Sequence, residues 1–418
     1  MVKGAREPGL SEVSSLPMST PGEADLRIVI VGGCGHVGLP LGAALAGAGA
    51  QVSLFDVDAT AVAEVNAGRP HFMEDGLVEA VAAGRSSGRL VATTGAGSVA
   101  DADVVVVVVG TPIDEHHNPD IGAVTRVVDE LVPHLRDGQL LVLRSTVFPG
   151  VTEFVERQLS AAGLLVEVAF CPERIAEGRA LREITDLPQI IGARSNATFE
   201  RAAAVFSLLT KDLVETTPEE AELAKLFTNA WRYLKFAAAN QFFMIANDFG
   251  LDYERVRHAI THDYPRAADL PAAGFAAGPC LFKDTMQLAA FNDNHFPLGQ
   301  AGVAVNEGLP SYLVGRIQQR FDISEMTVGI LGMAFKGESD DIRSSLSYKL
   351  RRILSFKARD VVCTDPYVTS DPRLVSFQEV LAHADLLVIG APHDAYRTLD
   401  VTQPIVDVWN LGGRGVKI

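Results

Sequence analysis

Short apolar runs recur along the chain, with longer helical stretches between them. Runs rich in β-branched residues occur at Leu26–Val31, Gln51–Phe55, Val104–Val109, Leu140–Leu143 and Val166–Phe170. Continuous apolar runs of this length are typical of strands that are buried on both faces of a parallel sheet. Their alternation with helical patterns therefore predicts a doubly wound α/β domain over residues 26–215.

A long uninterrupted helix is predicted to follow this domain. The segment Thr217-Pro218-Glu219-Glu220 has Thr at the N-cap, Pro at N1 and Glu at N3, which is the pattern of a capping box. Neither Gly nor Pro interrupts the chain from Glu219 to Phe249, and Gly250 follows as a C-cap. At ~1.5 Å per residue such a helix is about 50 Å long. A helix of that length commonly links two domains or builds a dimer interface.

Strand-like runs resume toward the carboxyl terminus, at Thr327–Leu331, Val361–Cys363, Leu386–Ile389 and Ile405–Val408. Helical stretches separate them, which predicts a second, smaller α/β unit. We therefore expect a flexible tail over residues 1–25, a doubly wound Rossmann-like domain over 26–215, a central helical segment over 216–323 and a smaller Rossmann-like domain over 324–418. The fold class is α/β, with two doubly wound Rossmann-like domains joined by a long central helix.

Composition narrows the classes of function. The formal net charge of −16 disfavours nucleic acid as a partner, because a negative surface repels phosphates. The longest apolar run, Val104–Val109, is far shorter than the roughly 20 residues that span a bilayer, so no membrane association is expected. None of the four cysteines stands in a C-x-x-C pair or in a zinc-like spacing. We expect free thiols, a cytoplasmic location and no metal.

A glycine-rich loop after the first strand carries a possible cofactor site. Gly33, Gly35 and Gly38 form a G-x-G-x-x-G between a predicted strand and helix, with His36 and Val37 inside it. In that context Gly33 permits a tight turn, Gly35 permits close approach of a pyrophosphate and Gly38 permits close helix–strand packing. Asp56 ends the second strand, where a carboxylate binds ribose hydroxyls and repels a 2′-phosphate, which favours NAD over NADP. The alternative is a glycine turn without a ligand.

A second candidate site lies in the segment Gly274–Asp284. Cys280 is on its Gly-rich turn, where a thiol can be exposed to a ligand, and Lys283 nearby would favour the thiolate. An inert core thiol is the alternative. Lys225 and Asn229 are four residues apart on the predicted central helix and so share one face. That face could equally be solvated.

Together these motifs resemble the UDP-glucose/GDP-mannose dehydrogenase family. The resemblance runs from about Leu26 to the carboxyl terminus, in the family's order. It is carried by Gly33–Gly38, Gly110-Thr111-Pro112, Ser145-Thr146-Val147, Cys171-Pro172-Glu173-Arg174, Lys225 to Asn229, Gly274 to Asp284, Phe335-Lys336 and Asp341-Ile342-Arg343. The family's NAD domain, central helix and UDP-binding domain match the organisation predicted above.

The resemblance implies a four-electron oxidation of a sugar C6 alcohol to a uronic acid, with Cys280 forming a thiohemiacetal and then a thioester. It implies that Lys225 and Asn229 hold the alkoxide and the developing oxyanion. Asp284 matches a base or water-orienting carboxylate. Glu173 matches a carboxylate linked to thioester hydrolysis, and Thr146 helps to position water.

The resemblance also implies binding residues. Those expected to bind NAD are Gly33, Gly35, His36, Val37, Gly38, Asp56, Gly110, Thr111, Ser145 and Thr146. Those expected to bind the UDP-sugar are Glu173, Arg174, Lys225, Asn229, Arg266, Phe275, Gly278, Phe335, Lys336 and Arg343. Arg266 matches an arginine that reaches into the neighbouring subunit's site, which implies a homodimer through the central helix.

The substrate is less sharply indicated than the chemistry. The turn before Cys280 has Ala276, Ala277 and Pro279 where the family is usually richer in Gly, and Gln241 stands where many relatives have Glu. Cys171-Pro172-Glu173-Arg174 resembles the subgroup acting on UDP-N-acetylhexosamines, so we expect UDP-N-acetylmannosamine or a similar sugar. UDP-glucose is the first alternative. A two-electron β-hydroxyacid-type dehydrogenase and a non-catalytic nucleotide-sugar binder remain as further alternatives.

Overall fold

The computed structural model describes residues 26–111, 120 and 122–416. The predicted tail over residues 1–25, and Pro112 of the Gly110-Thr111-Pro112 motif, lie outside the described residues. Among the described helices, none is long and apolar enough to span a bilayer. The described chain forms two sheets, with a helical segment between them in sequence.

The first sheet has eight strands in the order β3-β2-β1-β4-β5-β6-β7-β8, and all neighbouring strands are parallel except β6 and β7. The strands are β1 Arg27–Val31, β2 Gln51–Phe55, β3 Leu90–Thr93, β4 Val104–Val107, β5 Leu140–Leu143, β6 Glu167–Phe170, β7 Gln189–Gly192 and β8 Leu213–Thr216. Strand order reverses between β1 and β4. A ligand crevice is expected there, outside the carboxyl ends of these strands.

Helices cover both faces of this sheet: α1 Gly38–Gly47, α2 Ala59–Asn66, α3 Leu77–Ser86, α4 Gly122–Leu131, α5 Val151–Ala161, α6 Ala180–Asp186 and α7 Asn196–Phe206. Successive side chains of a strand point to opposite faces. Ile28 and Ile30 of β1 accordingly join one buried cluster, while Val29 and Val31 join another. Two cores therefore hold the sheet, and the predicted doubly wound α/β fold is confirmed.

The helical segment contains α8 Pro218–Asp248, α9 Tyr253–Thr261, α10 Leu281–Phe291 and α11 Pro297–Arg320. The predicted capping box is present: the Glu220 amide donates to Thr217 Oγ1, and the Thr217 amide donates to Glu220 Oε2 at 2.8 Å. Glu222, one turn into α8, accepts the backbone N–H groups of Gly150 at 2.6 Å and Thr152 at 2.8 Å. These bonds fix α8 against the start of α5.

The second sheet has four parallel strands in the order β10-β9-β11-β12. They are β9 Thr327–Leu331, β10 Asp360–Thr364, β11 Leu386–Ile389 and β12 Ile405–Val406, accompanied by α12 Leu346–Leu354 and α13 Phe377–His383. All nine predicted strands are confirmed, although β12 is shorter than the run Ile405–Val408. The apolar pattern did not reveal β3, β7 or β8.

Candidate active site

The glycine loop between β1 and α1 is shaped by steric contacts. Gly32 has the left-handed backbone conformation, with φ of 78°. The sequence predicts the tight turn at Gly33, so the turn lies one residue earlier than predicted. A Cβ on Gly33 would lie 2.8 Å from Leu54 Cα, and one on Gly38 would lie 2.6 Å from Gly32 O. A Cβ on Gly35 would meet only Gly32 O, at 3.5 Å, so the space above Gly35 is open.

The groups around this loop fit a dinucleotide. Val37 is the N-cap of α1 and its side chain does not cap the helix, so the first-turn N–H groups can receive an anion. Asp56 follows β2 and its carboxylate accepts the Cys34 amide at 3.0 Å, which holds it beside the loop. The ring of His36 stacks on Phe72 with centroids 4.1 Å apart. Burial, with the nearby charge of Arg343, lowers the pKa of His36 to about 4.

The predicted NAD residues on the other side of the crevice follow β4 and β5. Gly110 is exposed and Thr111 is buried, and Thr111 Oγ1 accepts a hydrogen bond from Lys283 Nζ at 3.1 Å. Ser145 Oγ donates to Val109 O at 2.7 Å, which joins the two strand ends. Thr146 and Thr111 line one small cleft. These residues would hold the nicotinamide half of NAD, whereas Gly35 and Asp56 would hold the adenosine half.

Cys280 lies at the N-cap of α10, and its side chain is exposed. Asp284, one turn further on, is 1% exposed; its Oδ2 accepts a hydrogen bond, and its Oδ1 has an ion pair in place of one. Asn229 Nδ2 donates to Oδ2 at 2.5 Å, and Lys283 Nζ lies 2.7 Å from Oδ1. The structure thus brings together predicted residues from α8 and from the turn before α10.

The charges around Cys280 oppose one another. Cys280 is accessible to solvent, but neighbouring residues surround much of its side chain. This burial is the main cause of the raised pKa of the Cys280 thiol, and the charge of Asp284 is the second cause. Lys225 and Lys283 lower the pKa of Cys280, as predicted for Lys283, but burial and Asp284 raise it by more. Burial also lowers the pKa of Lys225, which the charges of Asp284, Cys280 and Glu173 counteract. The net effect of these groups disfavours the thiolate of Cys280.

Glu173 is buried and is paired with Arg144, a residue that no sequence motif indicated. Arg144 Nε donates to Glu173 Oε2 at 2.8 Å, and its Nη2 donates to the same oxygen. Glu173 Oε1 accepts the backbone N–H groups of Arg174 at 2.7 Å and Ile175 at 2.9 Å. The Arg174 guanidinium donates to Pro188 O, which directs it to the start of β7.

Residues of the second Rossmann-like unit lie opposite the first unit, across the cleft between the two units. Lys336 Nζ donates to the backbone oxygen of Glu177. Arg343 Nη2 donates to Glu177 Oε1 at 2.8 Å and Arg343 Nε donates to Asp341 Oδ2 at 2.8 Å. Burial and the Asp341 charge raise the pKa of Glu177 to about 7. The sequence motifs did not indicate Glu177. Its position four residues after Glu173 and directly before Gly178 could have marked it as a site residue.

The turn before Cys280 packs on that same unit. Gly278 has φ of 101°, and a Cβ there would lie 2.8 Å from the ring of Phe335. Phe275 is buried and packs edge-on against Trp409, with centroids 6.0 Å apart. Arg266 is not brought to this cleft by its own chain: it is exposed, with its guanidinium 5.3 Å from the centre of the Tyr264 ring.

Comparison with known proteins gives one consistent result. The NAD binding domain of the UDP-glucose/GDP-mannose dehydrogenase family matches residues 26–210, its central domain residues 219–308 and its UDP binding domain residues 329–412. The fold and the site therefore define an NAD-dependent nucleotide-sugar dehydrogenase. The chain belongs to the UDP-glucose/GDP-mannose dehydrogenase family.

Individual relatives extend over nearly the whole chain. A UDP-N-acetyl-D-mannosamine dehydrogenase from Pyrococcus horikoshii is 29% identical over 90% of this chain and 91% of its own length. The UDP-glucose 6-dehydrogenase AglM from Haloferax volcanii is 32% identical over 88% of this chain and 92% of its own. The structure of a UDP-glucose dehydrogenase from Pyrobaculum islandicum superposes with a TM-score of 0.87, at 29% identity, over 94% of this chain and 96% of its own.

Proposed function

We propose that this protein oxidises the C6 alcohol of a UDP-N-acetylhexosamine, with UDP-N-acetylmannosamine as the first candidate, to the uronic acid. The observation that carries the proposal is the exposed thiol of Cys280 at a helix N-cap, within electrostatic range of Lys225 and Asp284. The relative from Pyrococcus horikoshii and the segment Cys171-Pro172-Glu173-Arg174 favour the N-acetylhexosamine. UDP-glucose is the second candidate, favoured by the relative from Haloferax volcanii.

The first oxidation needs a group that accepts the hydroxyl proton and a charge that stabilises the alkoxide. NAD, when it is bound, accepts a hydride at each of the two oxidation stages. Lys225 lies on the buried face of α8 and stabilises the alkoxide with its ammonium group. Asp284, held by Asn229 and Lys283, orients the water or side chain that carries the proton away.

The second oxidation needs a nucleophile, because an aldehyde carbon must become tetrahedral before it can release another hydride. Cys280 Sγ bonds to C6 and the thiol proton ends on the former carbonyl oxygen, giving a thiohemiacetal. Loss of the C6 hydride and of the hydroxyl proton leaves a thioester on Cys280. Water then adds at C6, the C6–S bond breaks, and the thiol regains a proton as the acid leaves. Lys225 and Asn229 stabilise the oxyanion, while Thr146 and Glu173 serve the hydrolytic water.

The UDP-sugar would lie between the two Rossmann-like units. Lys336 and Arg343 supply positive charge on the second unit, and Arg343 has the donor fork that suits a phosphate. Phe335 and Phe275 flank the turn at Gly278, where they form an apolar wall for the nucleoside and sugar. The segment after β6, which carries Glu173 and Arg174, borders the same cleft from the first unit, although the Arg174 guanidinium is bonded to Pro188 O.

We also propose a homodimer formed through α8. An exposed apolar stripe, which we call the α8 stripe, runs along one face of this helix and comprises Phe227, Trp231, Phe242, Ile245 and Phe249. These residues recur at helical spacing, and large apolar side chains exposed along one helix face indicate an interface. A second copy of the chain covers the α8 stripe, and the Arg266 of each copy then reaches the site of the other copy.

We also propose a cytoplasmic location, which the free thiols favour.

The proposed function is tested by following NADH formation with a panel of UDP- and GDP-sugars, including UDP-N-acetylmannosamine and UDP-glucose. We expect two NADH for each UDP-N-acetylmannosamine consumed, and a lower kcat/KM with UDP-glucose. One NADH per sugar would favour a two-electron dehydrogenase. Binding of the UDP-sugars without NADH formation would mean a non-catalytic binder.

A further inference from the structure

Arg144 and Glu173 form an ion pair in the interior of the first domain. Their side chains are only 3% and 10% exposed. Burying two charges costs several kcal/mol of solvation for each ion, which excellent geometry and further hydrogen bonds must offset. An apolar pair of similar volume would therefore hold the fold at least as well. Stability alone is therefore a weak reason for this ion pair.

The carboxylate of Glu173 is fully occupied. A carboxylate offers about four acceptor positions. Two of them receive the backbone N–H groups of Arg174 and Ile175, and two receive the Nε and Nη2 groups of Arg144. Glu173 can therefore neither rotate nor approach another cation without losing bonds. A water molecule that it activates must share an oxygen with one of these donors.

Arg144 is itself held from the opposite side. Its Nη1 donates to Cys171 O at 2.9 Å and to Gln189 Oε1 at 2.9 Å, and its guanidinium lies 5.1 Å from the centre of the Phe206 ring. Arg144 directly follows β5, Cys171 follows β6 and Gln189 begins β7. One guanidinium thus connects three neighbouring strand ends at the edge of the sheet that faces the cleft.

Glu173 follows β6, and an alternative partner, Lys225, lies on α8, the helix that packs against β6 and β7. Lys225 is buried, and the charge of Glu173 is among those that counteract the lowering of its pKa. A Glu173 released from Arg144 would turn to that ammonium group. Such an ion pair would neutralise the charge that stabilises the C6 oxyanion and would remove Glu173 from the hydrolytic water.

We propose that Arg144 is a positioning residue for thioester hydrolysis: its fork holds the Glu173 carboxylate at the hydrolytic water and away from Lys225. This inference rests on the proposed function, in which Glu173 serves hydrolysis of the Cys280 thioester. Gln189 supports Arg144 from behind. The hydrolytic apparatus therefore extends from Glu173 through Arg144 to β7.

The test compares the variants Arg144→Met, Arg144→Lys, Glu173→Gln and Arg144→Met/Glu173→Gln with a matched control, Arg201→Met. Arg201 pairs with Glu167 in the same domain, but that pair is partly exposed and lies at the start of β6, at the end opposite Cys171 and Glu173. Each variant is incubated with NAD and UDP-N-acetylmannosamine and quenched. Intact-mass spectrometry then measures the fraction that carries an acyl group on Cys280.

We expect Glu173→Gln and Arg144→Met each to accumulate acyl-enzyme and to lose about 100-fold in kcat, the effect of misplacing a reacting group by about 1 Å. The double variant should be no slower than Glu173→Gln alone. Arg144→Lys should lie between Arg144→Met and the parent, and added guanidinium ion should partly restore Arg144→Met. Arg201→Met should behave as the parent.

Different failures have different meanings. If Glu173→Gln accumulates acyl-enzyme while Arg144→Met and Arg144→Lys do not, Arg144 is not a positioning residue and the inference is wrong. Multiplicative losses in the double variant would contradict it as well. If Glu173→Gln hydrolyses its thioester at the parent rate, the role of Glu173 in the proposed function fails, and that of Arg144 fails with it. Should Arg144→Met not fold, Arg144→Lys decides by the same readout.

Discussion

Asn229 on α8 and Asp284 on α10 are joined by a 2.5 Å hydrogen bond between Nδ2 and Oδ2. Asn229 lies one turn after Lys225, and Asp284 lies one turn after Cys280. This bond therefore sets the distance between the candidate nucleophile and the candidate alkoxide-binding lysine. It connects α8 with α10, which are not consecutive helices in the chain.

Replacing Asn229 with Ala should loosen this connection. Asp284 would keep Lys283 but lose its other partner, and a lost hydrogen bond to a buried charge costs about 1.5–3 kcal/mol. We expect a lower melting temperature and a larger loss in kcat than in NAD affinity. Differential scanning calorimetry with kinetics tests this, and Gln241→Ala, at an exposed position of the same helix, is the control. An unchanged kcat would show that the bond does not position the nucleophile.

The reactivity of Cys280 should follow the charges around it. Because burial and Asp284 raise its pKa, alkylation by iodoacetamide should be slower at pH 7.5 than for a free thiol and should rise with pH above 9. Asp284→Asn removes a charge that raises the pKa and should speed alkylation. Lys225→Met removes one that lowers it and should slow alkylation. The same direction of change in both variants would contradict the electrostatic account.

Glu177 should make the contact between the two units depend on pH. Its pKa rises from 4.5 to about 7 in the folded protein, so folding favours its protonated form. The stabilising effect of that proton is fully present below pH 4.5 and is lost as the pH rises toward 7. Glu177→Gln cannot lose a proton, so its melting temperature relative to the parent should increase between pH 5 and pH 8. Glu215→Gln, on an exposed edge strand, should show no such trend.

The α8 stripe should hold two chains together. Trp231, 59% exposed in the single chain, is replaced by Glu in the test variant. We expect a dimer for the parent and a monomer for Trp231→Glu by light scattering. Phe356→Glu is the control, because Phe356 is 83% exposed but lies in the second unit. A parent protein that is itself monomeric would contradict the proposed dimer.

The dimer also predicts complementation between subunits. Arg266→Ala and Cys280→Ser homodimers should each be inactive. A heterodimer made by co-expression contains one site that combines an intact Cys280 with the Arg266 of the other chain. If Arg266 acts across the interface, this heterodimer should regain up to half of the parent activity. No recovery would mean that Arg266 acts within its own chain.

The apolar runs and caps were sufficient to predict most of the fold. Strands such as β5 are continuous apolar runs with a single interpretation, and the caps of α8 depend only on local sequence. The edge strand β8 was missed because Val214 and Glu215 are exposed, so it has no apolar run. The strand β7 was missed because its first residue, Gln189, is polar and serves Arg144.

Site residues that follow a strand or begin a helix were predictable from the sequence. The combined effect of the neighbouring charges on the pKa of Cys280 was not. Lys283 lies near Cys280 in sequence, and proximity alone favours a thiolate. The opposing effects of burial and of Asp284 depend on how α8 packs on α10, which no local pattern encodes. The pairing of Arg144 with Glu173 similarly joins residues that are 29 positions apart, through sheet order rather than sequence.

Covalent catalysis by Cys280 is the central claim, and intact-mass spectrometry of Cys280→Ser tests it most directly. A serine hydroxyl is close in size to the thiol, so we expect the variant to fold and to bind NAD and the UDP-sugar. Its alcohol is far less acidic than a thiol, and an oxygen ester transfers its acyl group more slowly than a thioester. After incubation with NAD and UDP-N-acetylmannosamine, we expect a sugar adduct on the protein or an NADH burst of at most two per site. Steady-state turnover should fall by several orders of magnitude, whereas turnover near the parent rate without an adduct would show that Cys280 is only a packing residue.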